Sequence, residues 1–130
     1  MPEKMSQTMT VGRKLVELCN QGQFLQAINE LYDDSIHAIE PCAMPGMDQD
    51  LKGIDAIRQK SQGWSDNHEV HSCAIKGPFP HGDRFALLMN IDVTPKAGPM
   101  ANQRMQMEEV CLYTVANGKI VKEEFFYDTE

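Results

Sequence analysis

Glu108 and Glu109 stand side by side in one β-rich run, and Glu123 and Glu124 in the next. Successive side chains of a strand point to opposite faces, so each pair must send one carboxylate each way. A sheet with one buried face therefore aims a carboxylate from each strand at its interior. Carboxyl groups gathered away from water repel one another and resist ionisation. Under that condition one of them can donate a proton beside an ionised base. The same letters also fit glutamates on an exposed face or an interface rim, paired with Arg104, Lys119 or Lys122.

Period-two grouping sorts the candidates. Between Met105 and Val115, Glu109 falls with Met105, Met107, Cys111 and Tyr113, an apolar set suited to lining a cavity. Glu108 falls with Gln106, Val110 and Leu112. Between Lys119 and Tyr127, Glu123 groups with Val121, Phe125 and Tyr127, which sends Ile120 to the outer face with Val110 and Leu112. Ser35–Glu40 carries Ile36, Ala38 and Glu40 on one side and His37 on the other. Phe85, Leu87, Met89 and Ile91 face the core, opposite Asp92. Glu40 and Glu109 are thus the catalytic candidates. Ser61, Trp64, His71, Met105, Met107, Glu123, Phe125 and Tyr127 are the candidates for substrate contact.

His68 and His71 are three apart at a helix-to-strand junction, not four apart on a helix as a zincin pair would be. Cys19, Cys42, Cys73 and Cys111 are widely spaced, without the Cys-x-x-Cys of zinc or redox sites, and read as free thiols. No glycine-rich phosphate loop follows a strand. Neither a metal nor a cofactor is expected.

The elements that must position these groups follow from caps, turns and periodicity. Asn117-Gly118 joins two β-rich runs, and both residues tolerate the positive φ of a type I′ turn. Thr10 is placed to cap a helix carrying Val11, Leu15, Val16, Leu18 and Cys19, which leaves residues 1–9 as a flexible extension. A second helix is expected from Phe24 to Tyr32. Residues 41–50, with two prolines and a glycine, form a loop. Ile54, Ile57, Ser61 and Trp64 share one face of a third helix over Gly53–Trp64. Four strands follow: Glu69–Lys76, Asp83–Thr94, Met105–Val115 and Lys119–Tyr127. The expected class is α+β, three N-terminal helices packed on one side of a curved antiparallel sheet, in a single domain spanning 1–130.

The formal charge of −7 and pI near 5.0 argue against a nucleic-acid partner. No apolar run reaches the roughly 18–20 residues of a membrane span. The polar start, MPEKMSQTMT, lacks a signal-peptide core, so a cytoplasmic location is expected.

The order of elements, with the strings GIDAIRQKSQGWSDNHEVHS, GPFPHGDRFALLMNIDVTP and NGKIVKEEFFYD, resembles the SnoaL-like polyketide cyclase branch of the NTF2-like (cystatin-like α+β) superfamily. The resemblance covers residues 10 to 128 and implies a cone with a pocket at its wide end. Its ketosteroid isomerase branch uses a carboxylate base immediately before a proline, matched here by Glu40-Pro41. A second acid on the penultimate strand is matched by Glu109, whereas the oxyanion tyrosine is replaced by Leu15. The resemblance implies cofactor-independent acid/base chemistry, isomerisation or cyclisation, on a small apolar carbonyl compound, and a homodimer formed through the outer sheet face. A non-catalytic ligand-binding domain and a pure dimerisation module stay open beside it.

Overall fold

The computed structural model describes residues 3–42 and 48–128. Its elements run α1 (Glu3–Asn20), α2 (Phe24–Leu31), β1 (Tyr32–Ile39), β2 (Asp50–Lys52), α3 (Ile54–Asn67), β3 (His68–His81), β4 (Arg84–Pro95), β5 (Met105–Ala116) and β6 (Lys119–Phe126). The six strands form one sheet in the order β2-β1-β6-β5-β4-β3. Helices pack on a mixed sheet, so the α+β class holds while two details change. The third helix follows β1 and β2 instead of preceding the sheet. The sheet is also not wholly antiparallel, because β1 runs parallel to β6. No hairpin forces their relative direction: α3 and four strands, β2 to β5, intervene, the long connection a parallel pair requires.

α1 begins well before Thr10. The Thr10 hydroxyl donates to the Ser6 carbonyl one turn back instead of capping, and Thr8 is fully buried, donating to the Gly82 carbonyl at 2.8 Å. Residues 3–9 are therefore docked helix, not a separate extension. Val11, Leu15, Leu18 and Cys19 continue the buried stripe at the spacing of one helical face. The close approach of α1 to β3 needs Gly12, where a Cβ would lie 2.8 Å from Pro78 Cβ. α2 buries Ala27, Ile28 and Leu31.

β2 pairs antiparallel with β1, starting at Asp50 inside the segment expected to be loop. Residues 43–47 of that segment lie outside the described residues. β4 alternates as expected, with Phe85, Leu87, Met89, Ile91 and Val93 buried under the helices. The β5–β6 turn has Asn117 at φ 52° and Gly118 at φ 76°, as a type I′ connection demands.

One strand departs from simple alternation. Between Thr114 and Val115 the β5–β6 register slips, pairing Val115 with Ile120 but Thr114 with Lys122. The extra residue is a β-bulge, which resets which side chains face in. Ile120 is consequently fully buried, a correction to its expected place on the outer face, and Glu123 is buried as well.

Candidate functional site

Glu40 leaves the end of β1 on the same face as Ile36 and Ala38, and only 5 % of it is exposed. Its backbone N–H donates to the Gln49 carbonyl at 2.8 Å, extending the β1–β2 ladder to the carboxylate. Two side chains grip it. Lys60, from the second turn of α3, donates to Oε1 and forms an ion pair. Tyr127, just past β6, donates its hydroxyl to Oε2 at 2.9 Å. The Lys60 ammonium also sits 4.4 Å from the centre of the Phe125 ring, within the range of a cation–π contact.

Glu123 lies across from Ala38 on one side and Tyr113 on the other. It is buried, and the Tyr32 hydroxyl donates to its Oε2. Burial pushes its carboxyl up to about 7, against the opposing pull of Lys60 and the Tyr32 hydrogen bond. Glu109, half-buried on β5 opposite Met89, is raised as well. Burial is the main cause and the Glu40 charge the second, while Lys60 pulls the other way. Cys111 Sγ makes a long contact of 3.8 Å to its Oε1.

The three inward carboxyls thus share one ammonium, and they differ in state. Glu40 is held as an ion pair, whereas Glu109 and Glu123 are biased toward the protonated form. Burial also drives up the neighbouring thiols, Cys19 to about 12, and keeps Cys111 protonated. Such thiols are poor nucleophiles and poor metal ligands. All four cysteines are free. Among the described residues no group of three or more His, Cys, Asp or Glu side chains is placed to hold a metal ion.

The other predicted contact residues divide. Phe125 and Tyr127 stand beside Lys60 and Glu40. Met105 and Met107 are half-buried and pack against the core on the Glu109 face of β5, and Trp64 packs against the core from α3. Trp64 also stacks on His68 at 4.4 Å. Ser61 is half-buried on α3. His71 is the exception. It is exposed, bonds to the Thr94 hydroxyl at 2.8 Å and lines a surface cleft of about 420 Å³ with Asn20, Phe24, His68 and Cys73. None of the three carboxylates lines that cleft. A register shift between Val70 and Ser72 breaks the alternation at this point. The expectation that His71 belongs with the carboxylates is therefore corrected.

Two members of the cluster escaped the sequence reading. Lys60 is three residues after Ile57 and four before Trp64, so helical periodicity placed it on the inward face all along. Its charge argued for solvent. Tyr32 was assigned to a helix end, yet a buried tyrosine hydroxyl needs a partner, and Glu123 is that partner. The basic residues expected to pair with the glutamates bond elsewhere in two cases: Arg104 with Asp92, and Lys119 with the Glu30 carbonyl. Lys122 reaches only the outward Glu124, at 3.7 Å.

This α+β arrangement, with helices on one face of a mixed sheet, is that of NTF2-like proteins. The family model described as SnoaL-like domain matches residues 6–127. The chain belongs to the SnoaL-like family. A Mesorhizobium loti structure, provisionally named a SnoaL-like polyketide cyclase, is 44 % identical, with 91 % of this chain and 97 % of that one covered and a TM-score of 0.81. An NTF2-like protein of unknown function from Burkholderia pseudomallei is 20 % identical over 96 % of this chain and 93 % of that one, with a TM-score of 0.78. A protein from Rhodopseudomonas palustris, provisionally named an isomerase, is 17 % identical over 99 % and 93 %, with a TM-score of 0.68. These last two share the fold. No curated protein matches the sequence.

Proposed function

We propose that this chain carries out cofactor-independent acid/base chemistry on a small, largely apolar carbonyl compound, with Glu40 as base and Glu109 as acid. The observation behind this reading is the unequal state of the two groups: Glu40 is paired with Lys60, while Glu109 is pushed toward its protonated form. In the proposed step Glu40 removes a proton from the carbon beside the carbonyl, and the electron pair moves onto oxygen. Glu109 gives its proton to that oxygen, so an enol forms and no charge is left on the product. Return of a proton from Glu40 to a different carbon, as the enol oxygen gives its proton back to Glu109, completes an isomerisation. Attack of the enol carbon on a second carbonyl, whose oxygen takes the Glu40 proton while the enol proton returns to Glu109, completes a cyclisation. A weak base and a weak acid acting together avoid a free enolate, which a low-dielectric site would penalise.

Glu40→Gln tests the reading, because the amide keeps the shape and cannot take a proton. The expected loss in kcat is about a hundredfold or more, with thermal unfolding monitored in parallel. The pH profile of kcat/KM is expected to fall as pH rises through the elevated Glu109 titration, and Glu109→Gln should remove that limb. Turnover of Glu40→Gln at the wild-type rate would overturn the assignment.

A second reading has its own observation: both Glu40 oxygens already accept a hydrogen bond, as in a domain that only binds a small molecule. Full retention of ligand binding with no turnover in any variant or in the wild type would favour it. For the assembly, we propose a homodimer through the outer sheet face. Leu88, Val110 and Phe126 form one cross-strand row there, and Val110 and Phe126 are 43 % and 51 % exposed. Isologous pairing would cover that row. Light scattering should give twice 14.7 kDa; a monomer mass would sink the proposal.

A further inference from the structure

The interior holds several hydroxyl donors, but those nearest the carboxylates are committed. Tyr127 donates to Glu40 and Tyr32 to Glu123. Leu15, where a related isomerase would carry its oxyanion tyrosine, is a buried core residue with no donor at all. Lys60 is different. An ammonium has three N–H donors, and among the described residues Glu40 is the one hydrogen-bond acceptor that Nζ meets. The rest of its surroundings is the Phe125 ring, which attracts the charge without accepting a conventional hydrogen bond.

Lys60 keeps 18 % of its side chain exposed and Glu40 only 5 %, so the solvent contact of this ion pair lies mainly on the lysine. The bond to Glu40 and the contact with the Phe125 ring both restrain Nζ, so part of the cost of ordering the ammonium is met before a ligand binds. A preorganised, half-desolvated cation is worth more to a developing negative charge than the same cation in water.

We propose that the Lys60 ammonium is the group that holds an anionic oxygen, enolate or phenolate, of a molecule seated against Glu40. Lys60 would then act on the substrate itself, beyond balancing the carboxylate. The inference rests on the acid/base reading of the same site: Lys60 would hold the oxygen while negative charge develops on it, until the Glu109 proton is transferred. Its chemical consequence is selection: molecules whose oxygen carries negative charge are favoured, and amines are repelled by the ammonium.

The test is binding of 4-nitrophenol, whose visible absorption belongs to the phenolate, at a pH below the probe's own pKa. It needs no turnover, so its failure is separate from failure of the Glu40 base assignment, which the kinetics of Glu40→Gln decide. Three variants are compared: Glu40→Gln, Glu40→Gln/Lys60→Met and Glu40→Gln/Lys60→Arg. Removing both members of the ion pair leaves no unpaired buried charge, so the Lys60→Met double variant is expected to fold; circular dichroism checks all three variants, and binding is compared among those that are folded. With Glu40 neutral and Lys60 present, the probe should bind as the yellow phenolate. The Lys60→Met double variant should bind about tenfold or more weakly, with the bound probe colourless. The Lys60→Arg double variant should keep the phenolate. If the Lys60→Met double variant binds phenolate as tightly as Glu40→Gln, or if Glu40→Gln binds no phenolate, the inference is overturned.

Discussion

Glu108 and Glu109 are consecutive residues of the same type on the same strand, and so are Glu123 and Glu124, yet the members of each pair live in different solvents. Glu108 is exposed and Glu109 half-buried with a raised pKa. Glu124 makes only a loose pair with Lys122 on the outer face, at 3.7 Å. Glu123 is sealed inside with its carboxyl near 7. One residue of offset turns a surface charge into a proton reservoir. What differs is the dielectric around the group, so a charge pair on the inner face is held by far more than its twin outside.

Breaking the inner pair should have the largest effect. Lys60→Met leaves Glu40 buried without its cation, and the expected cost is about 3 kcal/mol in urea unfolding near neutral pH. Lys122→Met, its counterpart outside, should cost about 0.5 kcal/mol or less. Equal costs would show that the interior is as wet as the surface.

The pH dependence of stability sharpens the same contrast with a defined sign. Glu123 is raised from 4.5 to about 7, so the folded protein holds a proton that the unfolded chain has already lost over that interval. Its contribution to stability is complete below the unfolded value and is lost as pH rises through about 7, a change on the order of 3 kcal/mol. Glu109 adds in the same direction. Glu123→Gln should therefore unfold at higher urea than wild type above this transition and show little difference below it. Glu124→Gln should follow wild type throughout. A Glu123→Gln variant whose stability varies with pH as steeply as wild type would remove Glu123 as the source.

Among the changes to the inner face, the smallest expected effect belongs to Tyr32→Phe. Losing the hydroxyl that donates to Glu123 should cost about 1–2 kcal/mol. The cost should grow as pH rises and the carboxylate ionises, because a hydrogen bond to a charge is the stronger one. A pH-independent cost would mean that the hydroxyl matters to packing alone.

How far these contrasts could be read in advance depends on the strand. On β4 and β5 the inward sets named from period-two grouping are the sets found inside, because both strands run unbroken in register against each other. Glu109 could be placed on the inner face for that reason, and Glu40 because the inward alternation of Ile36 and Ala38 continues to it past the end of β1. On β6 the grouping brought Glu123 inward correctly but put Ile120 outside, since the bulge beside Thr114 is an event between two strands. His71 was misplaced through the comparable shift after Val70. Lys60 shares the helical face of Ile57 and Trp64, but lysine is ordinarily an exposed residue type, so helical position alone does not single it out.

The sequence by itself determined the class of fold, the Asn117-Gly118 turn and the inward face of each uninterrupted strand. These follow from local sterics and from a two-residue or 3.6-residue period that every chain obeys. Tertiary structure alone decided that β1 runs parallel to β6, where the register slips, and that Lys60 and Tyr32 meet Glu40 and Glu123. Those contacts join residues 20 and 91 positions apart. Whether a buried charge finds its counter-charge is settled only when the helices close over the sheet, because desolvation and pairing energies depend on the three-dimensional surroundings and not on neighbours along the chain.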